Sequence, residues 1–388
     1  LSDWPLMKET ITYLDRVKMA MFILKTKKFT NGDMVKAFEN EWSSWLGSKH
    51  SLFVSSGSTA NFLLIASVME KYNLKRGDKV LLPTCTWVTN VSPIIQLGLE
   101  PIFCDINLNN FSFEEDDLEK ISKIHPDIKI VFVTHLLGLP ANNELYASMF
   151  PNAIILDDVC ESHGALSSNG TKVGSNSIGA TFSFYFGHHM TSIEGGMLCT
   201  NDSELYDIMK MKRSHGMARE SINFNSLAEQ YSHIDKSFLF ITDGYNFRNH
   251  EVCAVLGRSQ LKKLDKNIQT RKDNYLMFCE LMKKYKDYFY SAEYTDRNSS
   301  FCFPLIAKKE ETITKLKNIL TSNGIEYRPI VGGNLLAHPF LKNYSVSSGS
   351  SNEHAILLET NGIYLGNSHF VNKENINLLR KVLDEVML

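Results

Sequence analysis

The chain reads as an α/β protein with a mainly parallel central sheet flanked by helices and a smaller C-terminal α+β domain. Three observations predict it. Between residues 49 and 157, short apolar segments rich in β-prone residues alternate with segments of helical periodicity, the pattern of strands joined by crossover helices. A long helical tract over residues 252–288 then separates this region from the rest. Beyond it, strand-like residues 300–306 and helix-like residues 312–323 begin a second, shorter set. The domains are therefore expected at 1–250 and 251–388.

Taken in order, residues 8–27 have helical spacing through Ile11, Leu14, Val17, Met21 and Leu24. Residues 34–46 repeat it with Phe38, Trp42 and Trp45. Residues 49–54 form a strand that runs into Ser55-Ser56-Gly57-Ser58-Thr59-Ala60-Asn61, and an apolar helix follows over 62–72. A small-residue turn between strand and helix presents backbone N–H groups at the positive helix end. Gly57 and Ser58 are thus candidates for holding a phosphate, with an ordinary helix cap by Ser56 or Ser58 as the alternative.

Strands at 79–82, 101–105, 128–133 and 153–157 alternate with helices near 91–97, 114–124 and 144–150. Functional groups of such sheets gather at strand ends. That position singles out Trp87, Asp158 and Ser183, each of which also has a plain reading as a packed aromatic, a strand cap or a core serine. Residues 181–185 form a strand end, Gly187 breaks it, and His188-His189 fall on the turn that follows. By themselves these are two solvated histidines at a corner. Residues 197–200 continue as a strand and 205–213 as a helix. Residues 220–240 are polar and weakly patterned, as expected of a mobile loop. In the second domain, 324–330 and 362–365 read as strands, and 351–360 and 372–387 as helices.

Lys plus Arg number 41 against 43 Asp plus Glu. This near balance gives no footprint for nucleic acid or an anionic membrane. No apolar run is long enough to span a bilayer. No basic segment followed by an apolar one opens the chain, so no export signal is expected; Leu1 in first place is expected to follow a missing initiator methionine. The seven cysteines are scattered, with no Cys-x-x-Cys or Cys-x-Cys. The expectation is reduced core residues, no metal site and a cytoplasmic location.

Four motifs together resemble the DegT/DnrJ/EryC1/StrS sugar aminotransferase family. The family's cofactor-lysine segment reads Ser, four residues, Lys, six residues, Gly-Gly. Counting forward from Ser183 and back from Gly195 both reach His188. Asp158-Val159-Cys160-Glu161-Ser162-His163-Gly164-Ala165 is similar to the family's Asp-Ala-Ala-Gln-x-x-Gly-Ala, with Glu161 where Gln or His is common. Arg213-Ser214-His215-Gly216 resembles Arg-x-His-Gly, and Gly244-Tyr245-Asn246-Phe247-Arg248 matches Gly-Tyr-Asn-x-Arg.

The resemblance implies an aspartate-aminotransferase-like fold and a pyridoxal 5'-phosphate site. Gly57, Ser58 and Ser183 would then hold the phosphate, Trp87 would stack on the ring, and Asp158 would keep the pyridine nitrogen protonated. Glu161 would lie beside the cofactor, and Asn246 would reach across a homodimer interface to the neighbouring phosphate. His215, Arg219, Arg328 and Asn334 resemble substrate-side positions, with purely structural roles equally open.

Histidine in place of lysine has no primary amine to tether the cofactor. The resemblance then implies an untethered cofactor, carried as pyridoxamine 5'-phosphate and regenerated from L-glutamate, with His188 moving protons. A His-His pair at this site characterises a branch of the family, the 3-dehydratases of GDP-4-keto-6-deoxymannose in colitose synthesis. The expected activity is therefore 3-dehydration with deamination of a nucleotide-linked 4-keto-6-deoxy sugar, a hexose or a 6-deoxy-4-keto-heptose on GDP. The product would be a 3,6-dideoxy-4-keto sugar for surface polysaccharide. Another branch uses an iron–sulfur cluster and a reductase. The absence of clustered cysteines argues against such a partner here. The alternatives are a sugar aminotransferase and an inactive paralogue that binds nucleotide sugars.

Overall fold

The computed structural model describes residues 4–290 and 293–388; Leu1 lies outside the described residues. Helices α1 (Tyr13–Lys25) and α2 (Asp33–Leu46) precede β1 (His50–Val54). There follow α3 (Gly57–Lys71), β2 (Lys79–Pro83), α4 (Val88–Gln96), β3 (Glu100–Cys104), α5 (Glu115–Ile124), β4 (Ile130–Thr134), α6 (Asn143–Met149) and β5 (Ile154–Asp158). The chain continues through β6 (Gly179–Ser183), β7 (Gly196–Thr200), α7 (Ser203–Arg213), α8 (Phe224–Gln230) and the long α9 (Glu251–Met282). It closes with β8 (Cys302–Ile306), α10 (Glu310–Ser322), β9 (Tyr327–Pro329), β10 (Ser347–Ser348), α11 (Glu353–Asn361), β11 (Gly362–Gly366) and α12 (Lys373–Met387).

The large sheet has the order β1-β7-β6-β5-β4-β2-β3-β10. β7 runs antiparallel to β1 and β6, and the remaining pairings are parallel. Side chains alternate across it with the strand period of two. Val80, Leu82, Ile130 and Phe132 pack in one cluster with Leu63, Leu64, Val91 and Ile94 of α3 and α4. Leu81, Val131 and Val133 pack in another with Leu118, Ile121 and Tyr146 of α5 and α6. Burial on both faces explains why these strands read as continuous apolar runs.

Two helices differ from their sequence expectations for identifiable reasons. α3 begins at Gly57 rather than 62, because Ser56 Oγ accepts from the Thr59 N–H and Thr59 Oγ1 accepts from the Ser56 N–H, a reciprocal cap. In α1, Leu14, Val17, Met21 and Leu24 face outward, while Asp15 is the buried residue. Its carboxylate accepts from Ser259, Gln260 and Lys263 of α9, so the buried contact of this helix is polar. Residues 220–240, expected as loop, contain α8 and short turns. Asp207 of α7 anchors their start by accepting from Ser221 Oγ and the Ile222 N–H.

A second sheet, β8-β11-β9, is antiparallel and packs with α10, α12 and the C-terminal half of α9. The chain crosses residue 250 spatially in both directions. Trp4 inserts into this second cluster and donates its indole N–H to the Gly366 carbonyl at 2.9 Å, whereas β10 pairs with β3 of the large sheet. Among the described residues no helix is long and apolar enough to cross a membrane.

Candidate active site

The ends of β4, β5 and β6 and the first turn of α3 converge on a cavity of about 320 Å³. Its walls include Gly57, Ser58, Trp87, Asp158, Glu161, Ser183, His188 and Arg328, so eight residues singled out in the sequence meet in one place. Topology explains the convergence: parallel neighbouring strands deliver Thr134, Asp158 and Ser183 to the same edge of the sheet.

Gly57 and Ser58 are the first residues of α3, whose leading N–H groups have no carbonyl one turn earlier. A Cβ on Gly57 would lie 2.7 Å from Ser183 Cβ and 3.2 Å from Cys160 Sγ. Only glycine leaves the backbone open to a group seated between the helix end and Ser183. This cradle fits a phosphate. The cap and the cradle coexist, since Ser56 makes the cap and Gly57 with Ser58 form the rim.

Asp158 is 4% exposed and fully engaged on its protein side. Oδ1 accepts from the Cys160 N–H at 2.8 Å, and Oδ2 accepts from Asn61 Nδ2 at 3.0 Å. Asn61 Oδ1 in turn accepts from Thr181 Oγ1 at 2.6 Å, which fixes the amide orientation. A carboxylate held this rigidly at the end of an apolar strand suits a protonated ring nitrogen. Sequence reading passed over Asn61; its signal was its position one helical turn beyond Gly57, on the face of α3 turned to the sheet.

Glu161 borders the cavity beside Asp158. Burial, with the Asp158 charge adding, pushes its carboxyl up to about 7, although Oε2 accepts the Leu137 N–H at 3.1 Å. Leu137 adopts φ 56°, a left-handed conformation uncommon for a bulky residue, and this turn carries its N–H to Glu161. Trp87 is 55% exposed at the N-terminus of α4 and lines the cavity. Arg328 of β9 lies across from Tyr364 of β11 and also lines it.

His188 follows β6 on the turn, and among the residues lining the cavity there is no lysine. Burial, followed by the nearby Arg271 charge, lowers its pKa to about 4, so the imidazole is neutral at pH 7. Its Nδ1 is sealed from solvent with no hydrogen-bond partner within the protein, while the residue itself lines the cavity. The adjacent His189 turns inward: Nε2 donates to the Ser299 carbonyl at 2.9 Å, and burial holds this ring neutral as well. The two neighbouring histidines therefore have separate roles, one at the cavity and one in the core.

Four sequence candidates lie outside this cavity. Asn246 is exposed and bonded to Arg248 Nε at 3.0 Å, and Arg248 also reaches His215 Nε2 at 3.3 Å. Arg219 is exposed on a short turn after His215. Asn334 is a structural residue here, because its side chain caps the turn Leu335–Ala337 by accepting from the Leu336 N–H. All seven cysteines are free, and among the described residues no cluster of three or more His, Cys, Asp or Glu could hold a metal ion.

Comparison with known proteins bears on the same residues. The model of the DegT/DnrJ/EryC1/StrS aminotransferase family matches residues 13–382. GDP-4-keto-6-deoxy-D-mannose 3-dehydratase of Yersinia pseudotuberculosis is 36% identical over 370 residues, covering 93% of both chains. The solved structure of Escherichia coli GDP-4-keto-6-deoxy-D-mannose-3-dehydratase with bound hydrated PLP is similar at a TM-score of 0.91 and 33% identity, over 99% of this chain and 100% of that one. A structure of GDP-4-keto-6-deoxymannose-3-dehydratase with a trapped PLP-glutamate geminal diamine is similar at 0.89 and 32%, over 98% and 100%.

Proposed function

Because the chain belongs to the DegT/DnrJ/EryC1/StrS aminotransferase family, we propose that it is a pyridoxal-phosphate-dependent C3-dehydratase of a nucleotide-linked 4-keto-6-deoxy sugar. The observation that carries this reading is a neutral histidine, His188, where an aminotransferase needs a lysine amine. The relatives with that activity act on a GDP-linked 4-keto-6-deoxymannose, and GDP is the carrier proposed here. L-glutamate is the proposed amino donor, supported by the glutamate adduct in a similar enzyme.

The residues present fit the cofactor. The N–H groups of Gly57 and Ser58 and the Ser183 hydroxyl would hold its phosphate, Asp158 its pyridine nitrogen and Trp87 one ring face. When bound as pyridoxamine phosphate, the group supplies an amine for the 4-keto carbon and a conjugated ring that accepts electrons. The His188 imidazole, neutral at pH 7, takes the proton that must leave for the C3–O bond to break. The same imidazolium then returns a proton to the departing hydroxyl. Glu161, its carboxyl raised by burial to about 7, carries a proton part of the time at neutral pH and so lessens the negative charge beside Asp158. Arg328 at the cavity mouth suits an anionic nucleotide.

A shared homodimer site accounts for His215 and Asn246, two of the candidates outside the cavity. His215, Asn246 and Arg248 form one polar cluster facing solvent, and α1 exposes Tyr13, Leu14, Met21 and Leu24. An apolar surface of this extent suits a partner subunit. Seven free cysteines suit a cytoplasmic location.

The test is to incubate the protein with pyridoxal phosphate, L-glutamate and GDP-4-keto-6-deoxymannose, measuring ammonia and product mass together. Ammonia with loss of one oxygen from the sugar is the expected result. An aminated sugar without ammonia would make the protein an aminotransferase.

A further inference from the structure

The imidazole of His188 is placed by packing. Its Nδ1 has no hydrogen-bond partner within the protein, and the ring is bounded by Phe301, Tyr185 and His163 at centroid distances of 5.7, 6.2 and 6.2 Å. Its position therefore follows the short turn that carries it, closed by the His188 N–H donating to the Tyr185 carbonyl at 3.1 Å. The N-terminal segment packs on that turn. A Cβ built on Gly187 would fall on Met7 Sδ, with Met7 Cε 3.3 Å and Cγ 3.6 Å away. Gly187 lies outside the left-handed region, so its backbone does not ask for glycine. The room that a side chain at this position would need is taken by Met7.

Met7 sits in the middle of a strap that is tied down at both ends. On one side Trp4 is buried in the second domain, where its carbonyl accepts from the Glu326 N–H at 3.0 Å and its indole donates to Gly366. The Leu6 N–H donates to Glu326 Oε2 at 3.0 Å. A Cβ on Gly366 would fall on the Leu6 carbonyl oxygen and lie 2.7 Å from that of Pro5, so β11 meets the strap backbone to backbone. On the other side the Thr10 carbonyl accepts from Gln260 Nε2 of α9 at 3.0 Å. Between these anchors Met7 is half-buried and lines the reacting cavity together with Gly187 and His188. An unbranched thioether is well suited to filling an irregular gap of this kind.

We propose that Met7 is a positioning residue for His188: its side chain, seated where a side chain of residue 187 would lie, fixes the turn and with it the place of the imidazole in the reacting cavity. A thioether has no proton to give or take, so its part in the chemistry is mechanical. Proton transfer depends on the distance and alignment of the base, and a displacement of about 1 Å costs up to about 10²-fold in rate. The proposal rests on the reading of His188 as the proton carrier.

Met7→Ala, Gly187→Ala and the double variant, each loaded with pyridoxal phosphate, provide the test. Met7→Ala removes the contact; in Gly187→Ala the new methyl displaces the flexible end of Met7, at small cost to the fold. In both, kcat for ammonia release from GDP-4-keto-6-deoxymannose should fall about tenfold, with KM and the thermal midpoint little changed. Amide hydrogen exchange of residues 184–190 in the loaded protein without sugar should quicken. Because both substitutions remove one contact, the double variant should be no slower than the slower single, whereas independent effects would multiply. Met7→Leu, close in volume, should restore most of the rate. Unchanged exchange or unchanged kcat in Met7→Ala overturns the proposal, and so do multiplied losses in the double variant. A rise in KM alone also overturns it, by making Met7 a contact of the sugar. Full activity in His188→Asn, or none in the unmodified chain, would instead overturn the functional reading, and the exchange of residues 184–190 would still decide whether Met7 holds the turn.

Discussion

Asn61 Nδ2 donates to Asp158 Oδ2 at 3.0 Å, linking the first turns of α3 to the end of β5. One helix thereby contributes to both ends of the cavity, through Gly57 at the phosphate cradle and Asn61 at the buried carboxylate. Asn61→Ala leaves Asp158 Oδ2 and Thr181 Oγ1 each short of a partner. The expected loss is about 1–2 kcal/mol, or roughly tenfold in pyridoxal phosphate affinity, measured by cofactor absorbance titration.

His188→Asn should bind cofactor with little change, because the phosphate cradle and Asp158 are untouched. Its dehydration rate should fall by about 10²–10⁴-fold, the usual contribution of a positioned acid–base group, as read by ammonia release. Replacement by lysine restores a primary amine. The expected sign is a covalent cofactor that survives dialysis and is released after strong acid.

The pH dependence follows from the depressed histidines. His188 must be neutral to accept a proton, and burial lowers it to about 4. The acid limb of the rate profile should therefore lie well below the ordinary histidine value of about 6.5. His163 and His189 are also held neutral by burial. On unfolding they regain ordinary values, so the unfolded state binds more protons below about 6.5. Stability should then fall with decreasing pH in that window, by about 1.4 kcal/mol per unit for each histidine. Urea denaturation at a series of pH values measures the slope.

Gly57→Ala places a methyl group 2.7 Å from Ser183 Cβ, at the rim of the cradle. Relieving that overlap requires α3 or β6 to shift, so folding stability should fall as well, despite the helix propensity of alanine. Cofactor binding should weaken by at least tenfold, whereas Ser183→Ala, which removes one hydrogen bond and no space, should weaken it less. Calorimetric titration with pyridoxal phosphate separates the two.

Mixed dimers test the placement of Asn246. Asn246→Ala and His188→Asn homodimers should each be inactive. Random exchange between them gives half heterodimers, each with one complete site if Asn246 serves the neighbouring subunit. About one quarter of wild-type activity should return. If Asn246 serves its own subunit, no complete site forms and activity stays absent.

Much of this molecule follows from local pattern. The alternation of strands and helices fixed the fold class, and the strand ends named Asp158 and Ser183. The resemblance to the family's cofactor-lysine segment put a histidine at the lysine position. Each is a short-range property, in which periodicity reports burial and a glycine or serine reports the turn it permits.

Other features depend on pairs of residues far apart in sequence, and only the tertiary structure decided them. Asn61 and Asp158 are 97 positions apart, and nothing local to either says that they bond. α1 has a regular apolar spacing, yet it turns Asp15 inward because α9 offers Ser259, Gln260 and Lys263 to that carboxylate. The neutrality of His188 comes from burial and from Arg271, 83 positions further along the chain. Sequence determines which chemical groups are available; the charge state and partner of each depend on what the folded chain excludes water with, and that is a property of the packed whole.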